Sequence, residues 1–122
     1  MKSNNLNIAR KGDLVYIQFP RFSASGCVRH IFSTRHGGVS TGDAASMNLS
    51  FDKDSSRENV IKNFDILCEA AGINPENLVL SKQTHTDCVV SVDGSHRGTG
   101  ITKPSFNDVD GLITDTPGVA LV

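Results

Sequence analysis

A glutamine and a histidine lie two residues apart near the middle of the chain. The stretch Ser81–Val92 predicts a strand, a polar break and a second strand, and Gln83 and His85 fall in the break. In an extended backbone, residues i and i+2 point to the same side. We therefore expect both side chains to reach one pocket at the end of a sheet.

A cysteine follows this histidine closely enough to suggest a second metal ligand. Cys88 comes three residues after His85, but a catalytic zinc usually takes three protein ligands and keeps one position open. Further ligands would have to come from elsewhere in the chain. Two other interpretations stay open: a histidine beside a strand is most often a surface or hydrogen-bonded residue, and a cysteine in a strand is most often a small buried one.

A glycine-rich segment, STRHGGVSTGD, occupies residues 33–43. Gly37 and Gly38 are adjacent and Gly42 follows, which predicts a loop with unusual backbone angles. Such a loop is either a tight turn or a place where backbone amides and Arg35 meet an anion. Because the spacing matches neither a P-loop nor a dinucleotide fingerprint, the local pattern favours the turn.

Composition limits the class of protein. The sequence has 122 residues, with 12 basic and 13 acidic side chains and a net charge of -1, which argues against a nucleic-acid surface built on bulk charge. No apolar run approaches the length of a membrane span, and the first residues lack the apolar core of a secretory signal. Three widely spaced cysteines fit reduced thiols in a cytoplasm. No particular oligomeric state is indicated.

Strands and one helix are predicted in the first half. Asp13–Phe19 alternates strongly and Cys27–Thr34 more weakly, so both predict strands, joined by a connection over residues 21–26. Ser55 and Glu58 have the spacing of a capping box. Gly72 suits the position just after the end of this helix. Before it, apolar residues recur at helical spacing: Val60, Ile61, Phe64, Leu67, Cys68 and Ala71.

The second half predicts short strands around a long polar connection. Pro75 suits the first position of a short helical turn, and a solvated loop containing His96 follows Val92. A strand at residues 111–114, a type II turn over Thr116–Gly118 and a last strand from Val119 complete the chain. The last strand stops without a turn signal, so we expect a fragment. The class is α+β, with a mixed sheet and a helix on one face.

Several segments together resemble a known family, the multicopper polyphenol oxidases or laccase-domain proteins. Its members are also described as purine nucleoside phosphorylases with adenosine deaminase activity. The resemblance extends from about Phe32 to Val122, as the N-terminal part of a single domain. It rests on these segments, in order: TRHGGVSTG, SMNLS, the helix with Asn59 to Asn63, QTH, DVDGLIT and TPGVALV. It implies a mixed β-sandwich flanked by helices, in a cytoplasmic protein.

The resemblance also implies a metal site. The family's zinc is bound by a histidine of the Q-x-H motif, here His85, by the cysteine of an Ala-Asp-Cys motif, and by the histidine of a His-Ala-Gly-Trp motif. The last two would lie beyond Val122. Cys88 does not match the family cysteine and is therefore withdrawn as a ligand. Substrate-binding positions near the family pocket correspond to Arg35, His36, Asn48 and Gln83.

The implied function is phosphorolysis of a purine nucleoside, with adenosine, inosine, guanosine or methylthioadenosine and phosphate as the partners. Zinc-bound water with a lowered pKa would also deaminate adenosine at C6. Because the sequence carries one metal ligand of three, we expect the 122-residue chain alone to be inactive. Two alternatives remain open: a copper-type phenol oxidase, for which a His/Cys/His set is also suitable, and a non-catalytic binding module.

Overall fold

A computed structural model describes residues 5–54 and 56–122. The chain divides into two compact units, the first extending to Ile73 and the second covering Asn74–Val122. Both contain short strands, and the long helix belongs to the first. The α+β class is confirmed, with the strands distributed over three small sheets.

The first unit begins with a three-stranded antiparallel sheet. Strands β1 (Asn7–Lys11), β2 (Leu14–Gln18) and β3 (Phe32–Ser33) lie in that order. Lys11 pairs with Leu14, so the hairpin turns through two residues, and Gly12 supplies a φ of 59° there. Strand β2 forms where it is predicted, with Leu14 in the core and Tyr16 packed against it. Its other residues are all partly buried, so burial does not follow the predicted alternation.

The segment between β2 and β3 differs from the prediction. Residues 21–26 were expected to form a simple connection, but Pro20–Ser25 is a short helix, α1. Proline fits its first turn, where a backbone N–H has no partner in any case, and Gly26 ends it at φ 67°. The strand predicted over Cys27–Thr34 shrinks to β3, since Val28 is half exposed and has no core to pack against.

Helix α2, Arg57–Ala71, is the main helix of the chain. Ser55, the predicted N-cap, lies outside the described residues. The capping position is taken by Ser56, whose side chain accepts from the Asn59 amide. Gly72 ends the helix in the left-handed conformation, at φ 68°, as predicted.

The core of the first unit lies between β2 and α2. Leu14, Met47 and Leu67 form its centre, so the sheet, the segment before α2 and the helix each contribute one residue. Partly buried apolar residues pack around it: Tyr16, Ile31, Leu49, Ile66 and Ala70. On α2 itself Cys68 is buried, as its position on the apolar stripe predicts.

The second unit contains two pairs of parallel strands. After a 3₁₀ turn at Pro75–Asn77, β4 (Leu78–Val79) pairs with β7 (Ala120–Leu121). Strand β5 (Val89–Ser91) pairs with β6 (Gly111–Ile113).

The loop before β7 follows the predicted turn. Val119 N donates to Thr116 O at 3.4 Å, and Gly118 has a φ of 77°. Pro117 therefore occupies the second position of the turn and Gly118 the third, as expected for type II.

The long polar connection between β5 and β6 is more ordered than expected. His96 is half-buried and ends a 3₁₀ turn at Gly94–His96 rather than lying free in a loop. Its Nδ1 accepts from the Asp93 amide at 3.0 Å, while the Asp93 carboxylate accepts from the Ser95 amide. The two side chains form a capping box.

Two general features concern the whole described chain. Cys27 and Cys88 are exposed and Cys68 is buried, and all three are unpaired. Within residues 5–54 and 56–122, none of the helices combines the length and the apolar character that crossing a membrane requires.

Candidate functional site

His85 lies on a strained, exposed loop of the second unit. Its φ is 65°, a left-handed angle that is uncommon for residues other than glycine. The expectation that Gln83 and His85 share one side assumed an extended backbone, and at His85 that assumption is wrong. Both side chains are exposed. The imidazole of His85 makes no hydrogen bond to any described residue, so both ring nitrogens can meet a ligand.

The carboxylate of Asp110 holds this loop. Its Oδ1 accepts from the backbone amides of Thr84 at 3.0 Å and His85 at 2.9 Å. Its Oδ2 accepts from Thr86, at 2.8 Å from the amide and 2.6 Å from the hydroxyl. One carboxylate therefore binds three consecutive amides of the Q-T-H-T segment.

These donors also stabilise the charge of Asp110. The Thr86 hydroxyl and amide, followed by the amides of His85 and Thr84, lower the pKa of Asp110 below its usual value and outweigh partial burial. The negative charge is thus retained, and hydrogen bonds from amides to a charged oxygen are stronger than those to a neutral one.

A second aspartate supports the same loop. The carboxylate of Asp108 accepts from the Thr84 hydroxyl at 2.9 Å, and Asp108 itself has a φ of 53°. Neither aspartate is among the site residues predicted from the sequence. The available signal was the D-x-D-G spacing directly before a predicted strand, which places two carboxylates at the start of β6.

Cys88 contributes its backbone rather than its thiol. Its carbonyl accepts from the amides of Asp110 and Gly111, at 3.0 and 3.2 Å, and thereby ties the loop to β6. In the part of the chain that the structure describes, no three His, Cys, Asp or Glu side chains cluster to hold a metal ion. His85 is thus a single donor, and the described residues do not by themselves fit a catalytic zinc.

The glycine-rich loop of the first unit is closed by hydrogen bonds to Arg35. The Arg35 carbonyl accepts from the amides of Ser46 and Met47, at 3.1 and 3.0 Å, and from the Ser46 hydroxyl. Its Nη2 donates to Ala45 O at 2.9 Å. The side chain is otherwise exposed, so most of its guanidinium donors remain available to an anion.

The two adjacent glycines permit a close approach of backbones. At Gly38 a Cβ atom would lie 2.5 Å from Met47 Cα, and Gly37 combines a φ of 90° with close packing against Leu14. Neighbouring amides bond within the protein: Gly38 N to Ser46 Oγ and Ser40 N to Ser46 O. The turn interpretation therefore explains the glycines, and the amides of Gly38 and Ser40 are already bonded within the protein.

Asn63, deep in helix α2, fixes the far side of this loop. It is fully buried. Its Oδ1 accepts from Val39 N at 2.8 Å, and its Nδ2 donates to Asn48 O at 2.7 Å and Ser40 Oγ at 3.0 Å. The Ser40 hydroxyl in turn donates to the Asp54 carboxylate. The loop is thus bound to the helix through one side-chain amide.

The other predicted substrate-binding residues of the first unit differ in their surroundings. The side chain of Asn48 bonds to both backbone groups of Ser50, donating to its carbonyl at 2.9 Å and accepting from its amide at 3.1 Å. His36 is exposed, and its imidazole bonds to no described residue. Arg35, His36 and Asn48 lie in one unit and Gln83 and His85 in the other, and their common cleft stays a prediction.

Comparison with known proteins decides the family. A profile of the family described as multi-copper polyphenol oxidoreductase laccase matches residues 29–122. The chain belongs to this family.

Curated proteins with similar sequences are named purine nucleoside phosphorylases. The protein YlmD of Geobacillus stearothermophilus is 35% identical over 91 residues, which is 73% of this chain and 33% of the relative. A protein of Deinococcus radiodurans is 36% identical over 94 residues, which cover 77% of this chain and 33% of the relative. A protein of Bacteroides thetaiotaomicron is 31% identical over 110 residues, which cover 84% of this chain and 39% of the relative.

Solved structures confirm the fold. The crystal structure of YlmD from Geobacillus stearothermophilus superposes with a TM-score of 0.80 at 30% identity. That of YfiH from Bacillus licheniformis gives 0.79 at 23% identity. Each match covers 93% of this chain and 42% of the other, so the chain spans about two-fifths of the length of these two proteins.

Proposed function

We propose that these residues are part of a purine nucleoside phosphorylase. In this reaction phosphate forms a bond to the anomeric carbon of the sugar, the bond to the purine nitrogen breaks, and the purine leaves with the electron pair and takes up a proton. The similarity to relatives named for this activity supports the proposal. The structural observation that carries it is the exposed imidazole of His85 on a loop fixed by Asp110.

Arg35 is the proposed phosphate-binding group. Its guanidinium is planar, always charged and able to bind two phosphate oxygens at once, and the hydrogen bonds to its own backbone and to Ala45 hold it at the loop. His36, Asn48 and Gln83 are proposed to contact the nucleoside. Because the amides of Gly38, Val39 and Ser40 bond within the protein, the proposed attraction for phosphate depends mainly on the side chain of Arg35.

A direct test uses the complete protein that the gene encodes, with inosine and phosphate as substrates. We expect phosphate-dependent release of the purine base. Arg35→Ala should raise the KM for phosphate about tenfold or more, since a charge-assisted contact is lost, and Arg35→Lys should recover part of it. Arg21→Ala, at another exposed arginine, is the matched control. A wild-type protein that releases no base at any phosphate concentration would refute the proposal.

For a metal, the proposal is limited to one ligand from this chain. We infer that His85 contributes one ligand to a zinc whose other ligands lie outside the described residues, and that the same centre gives the adenosine deaminase activity. No reaction step is assigned to a metal held by these residues alone. The 122-residue chain should therefore lose zinc on dialysis and leave nucleosides unchanged, as measured by metal analysis and turnover. Tight zinc retention by this chain would contradict the inference.

Two other functions make different predictions. A copper-type phenol oxidase would consume dioxygen with a phenol and lose that activity with a copper chelator, without any need for phosphate. A binding module would bind nucleoside in calorimetry without releasing base. The names of the curated relatives favour phosphorolysis over both.

A further inference from the structure

The carboxylate of Asp110 is rigidly placed by its own surroundings. It directly precedes β6, and its amide and that of Gly111 both donate to Cys88 O, which directly precedes the partner strand β5. The aspartate is therefore anchored where two paired strands begin. Its side chain extends from this fixed point to the loop that carries His85.

The conformation of that loop is one that the chain does not adopt readily. A histidine at φ 65° lies in a region that L-residues other than glycine visit rarely, and it persists only where the surroundings impose it. The amides of Thr84, His85 and Thr86 all point toward Asp110 and bond to it. Since these hydrogen bonds bracket His85 on both sides, they fix the direction in which its Cβ leaves the backbone.

We propose that Asp110 is a positioning residue, which sets the direction of the His85 imidazole by binding three consecutive backbone amides. It acts through His85 and does not itself contact the substrate. The inference rests on the proposed function in one respect, namely that His85 is the imidazole that the reaction uses. The geometric part, that Asp110 determines the conformation of residues 84–86, stands independently.

The test uses the complete protein and the variant Asp110→Asn. An asparagine keeps one oxygen acceptor but places an NH₂ donor where the other oxygen accepts from Thr86. We expect faster hydrogen exchange at the amides of Thr84, His85 and Thr86, with little change elsewhere. A misplacement of the imidazole should lower kcat about 100-fold while the KM for phosphate changes by less than about threefold.

The matched control is Asp108→Asn. This change removes an equal charge from the same segment, but its remaining oxygen still accepts from the Thr84 hydroxyl. We expect kcat within about threefold of the wild type. Thr86→Val is a milder second variant, because it keeps the three amide bonds to Asp110 and removes the Thr86 hydroxyl, which also contacts the Asp108 carbonyl and the Cys88 amide. If Asp110→Asn fails to fold, Thr86→Val still tests the inference through amide exchange and an intermediate loss of kcat.

A double-mutant cycle separates positioning from a general structural role. If Asp110 acts through His85, Asp110→Asn should lower kcat no further in a His85→Ala background. An equal loss of kcat in both backgrounds would overturn the proposal. So would unchanged amide exchange at residues 84–86, or an unchanged kcat despite faster exchange there. A wild-type protein without phosphorolysis refutes the proposed function instead. Amide exchange and the NMR shifts of the His85 ring then decide whether Asp110 positions the imidazole.

Discussion

The side-chain amide of Asn63, buried in helix α2, donates to the backbone carbonyl of Asn48 at 2.7 Å. Asn48 follows the glycine-rich loop, and the same Asn63 side chain accepts from Val39 inside that loop. A single residue of the helix therefore sets the distance between two parts of a long irregular segment. Backbone groups buried beside a helix need such partners, since leaving them unbonded is costly.

Replacing this asparagine should destabilise the protein strongly. Asn63→Ala removes the partner of the Val39 amide and of the Asn48 carbonyl, and we expect the free energy of unfolding to fall by about 2–4 kcal/mol. Urea unfolding measures the change. Asn59→Ala on the same helix is the control, because the Asn59 side chain bonds to no described residue, and it should cost less than about 1 kcal/mol. Similar losses for both variants would contradict the role given to Asn63.

A methyl group at Gly38 should disturb the same segment. It would overlap the Ser46 carbonyl and Met47 Cα, which are backbone atoms without room to move. We expect Gly38→Ala to destabilise the protein by about 2 kcal/mol or more, as an overpacked site does. Gly42→Ala is the comparison, because nothing lies within 4 Å of its added carbon and only its φ of 64° is unfavourable. A smaller loss at Gly38 than at Gly42 in thermal unfolding would refute this explanation.

Acid should weaken the link between Ser40 and Asp54. The Ser40 hydroxyl, then the Ser56 amide, lower the pKa of Asp54 below its value in the unfolded chain. Stability from these contacts is thus fully present above about pH 4, the unfolded value, and is lost as the pH falls through the lower folded pKa. We expect Asp54→Asn to flatten the decline of the urea midpoint below about pH 4. An unchanged acid slope in this variant would contradict the assignment.

The three thiols should differ in reactivity. Cys27 and Cys88 are exposed, whereas burial raises the pKa of Cys68 to about 11. Since the thiolate is the reactive form, a thiol reagent at neutral pH should titrate Cys27 and Cys88 in the native chain and Cys68 only after unfolding. Cys68→Ser should remove only the thiol that reacts after unfolding. Fewer than three thiols under denaturing, non-reducing conditions would indicate a disulfide and refute the prediction of unpaired cysteines.

The elements that the sequence predicted well are those whose signals are local. Helix α2 has an apolar stripe at helical spacing and a glycine at its end, and β2 is a run of apolar residues that Pro20 closely follows. Helix α1 was missed because it has six residues and buries none of them. With no apolar face to bury, a helix that short has no periodic signal to read.

The candidate site depended on contacts that sequence patterns do not encode. The hydrogen bond from the His85 amide to Asp110 joins residues 25 positions apart, and neither residue type specifies the other. The sequence indicated that His85 was important, but through the family resemblance and an extended backbone that does not occur. The left-handed angle follows from the bonds to Asp110, which only the folded arrangement supplies.

The parallel pair of β4 and β7 has a consequence for the time course of synthesis. Leu78 pairs with Ala120, so the two strands are separated by about 40 residues of chain. At a translation rate of about 5–20 residues per second, β4 leaves the ribosome about 2–8 s before its partner does. During this interval Leu78 and Val79, which the finished unit buries, form an apolar edge on the nascent chain. If translation pauses during this interval, the exposed strand is suited to chaperone binding or to pairing with a second nascent chain.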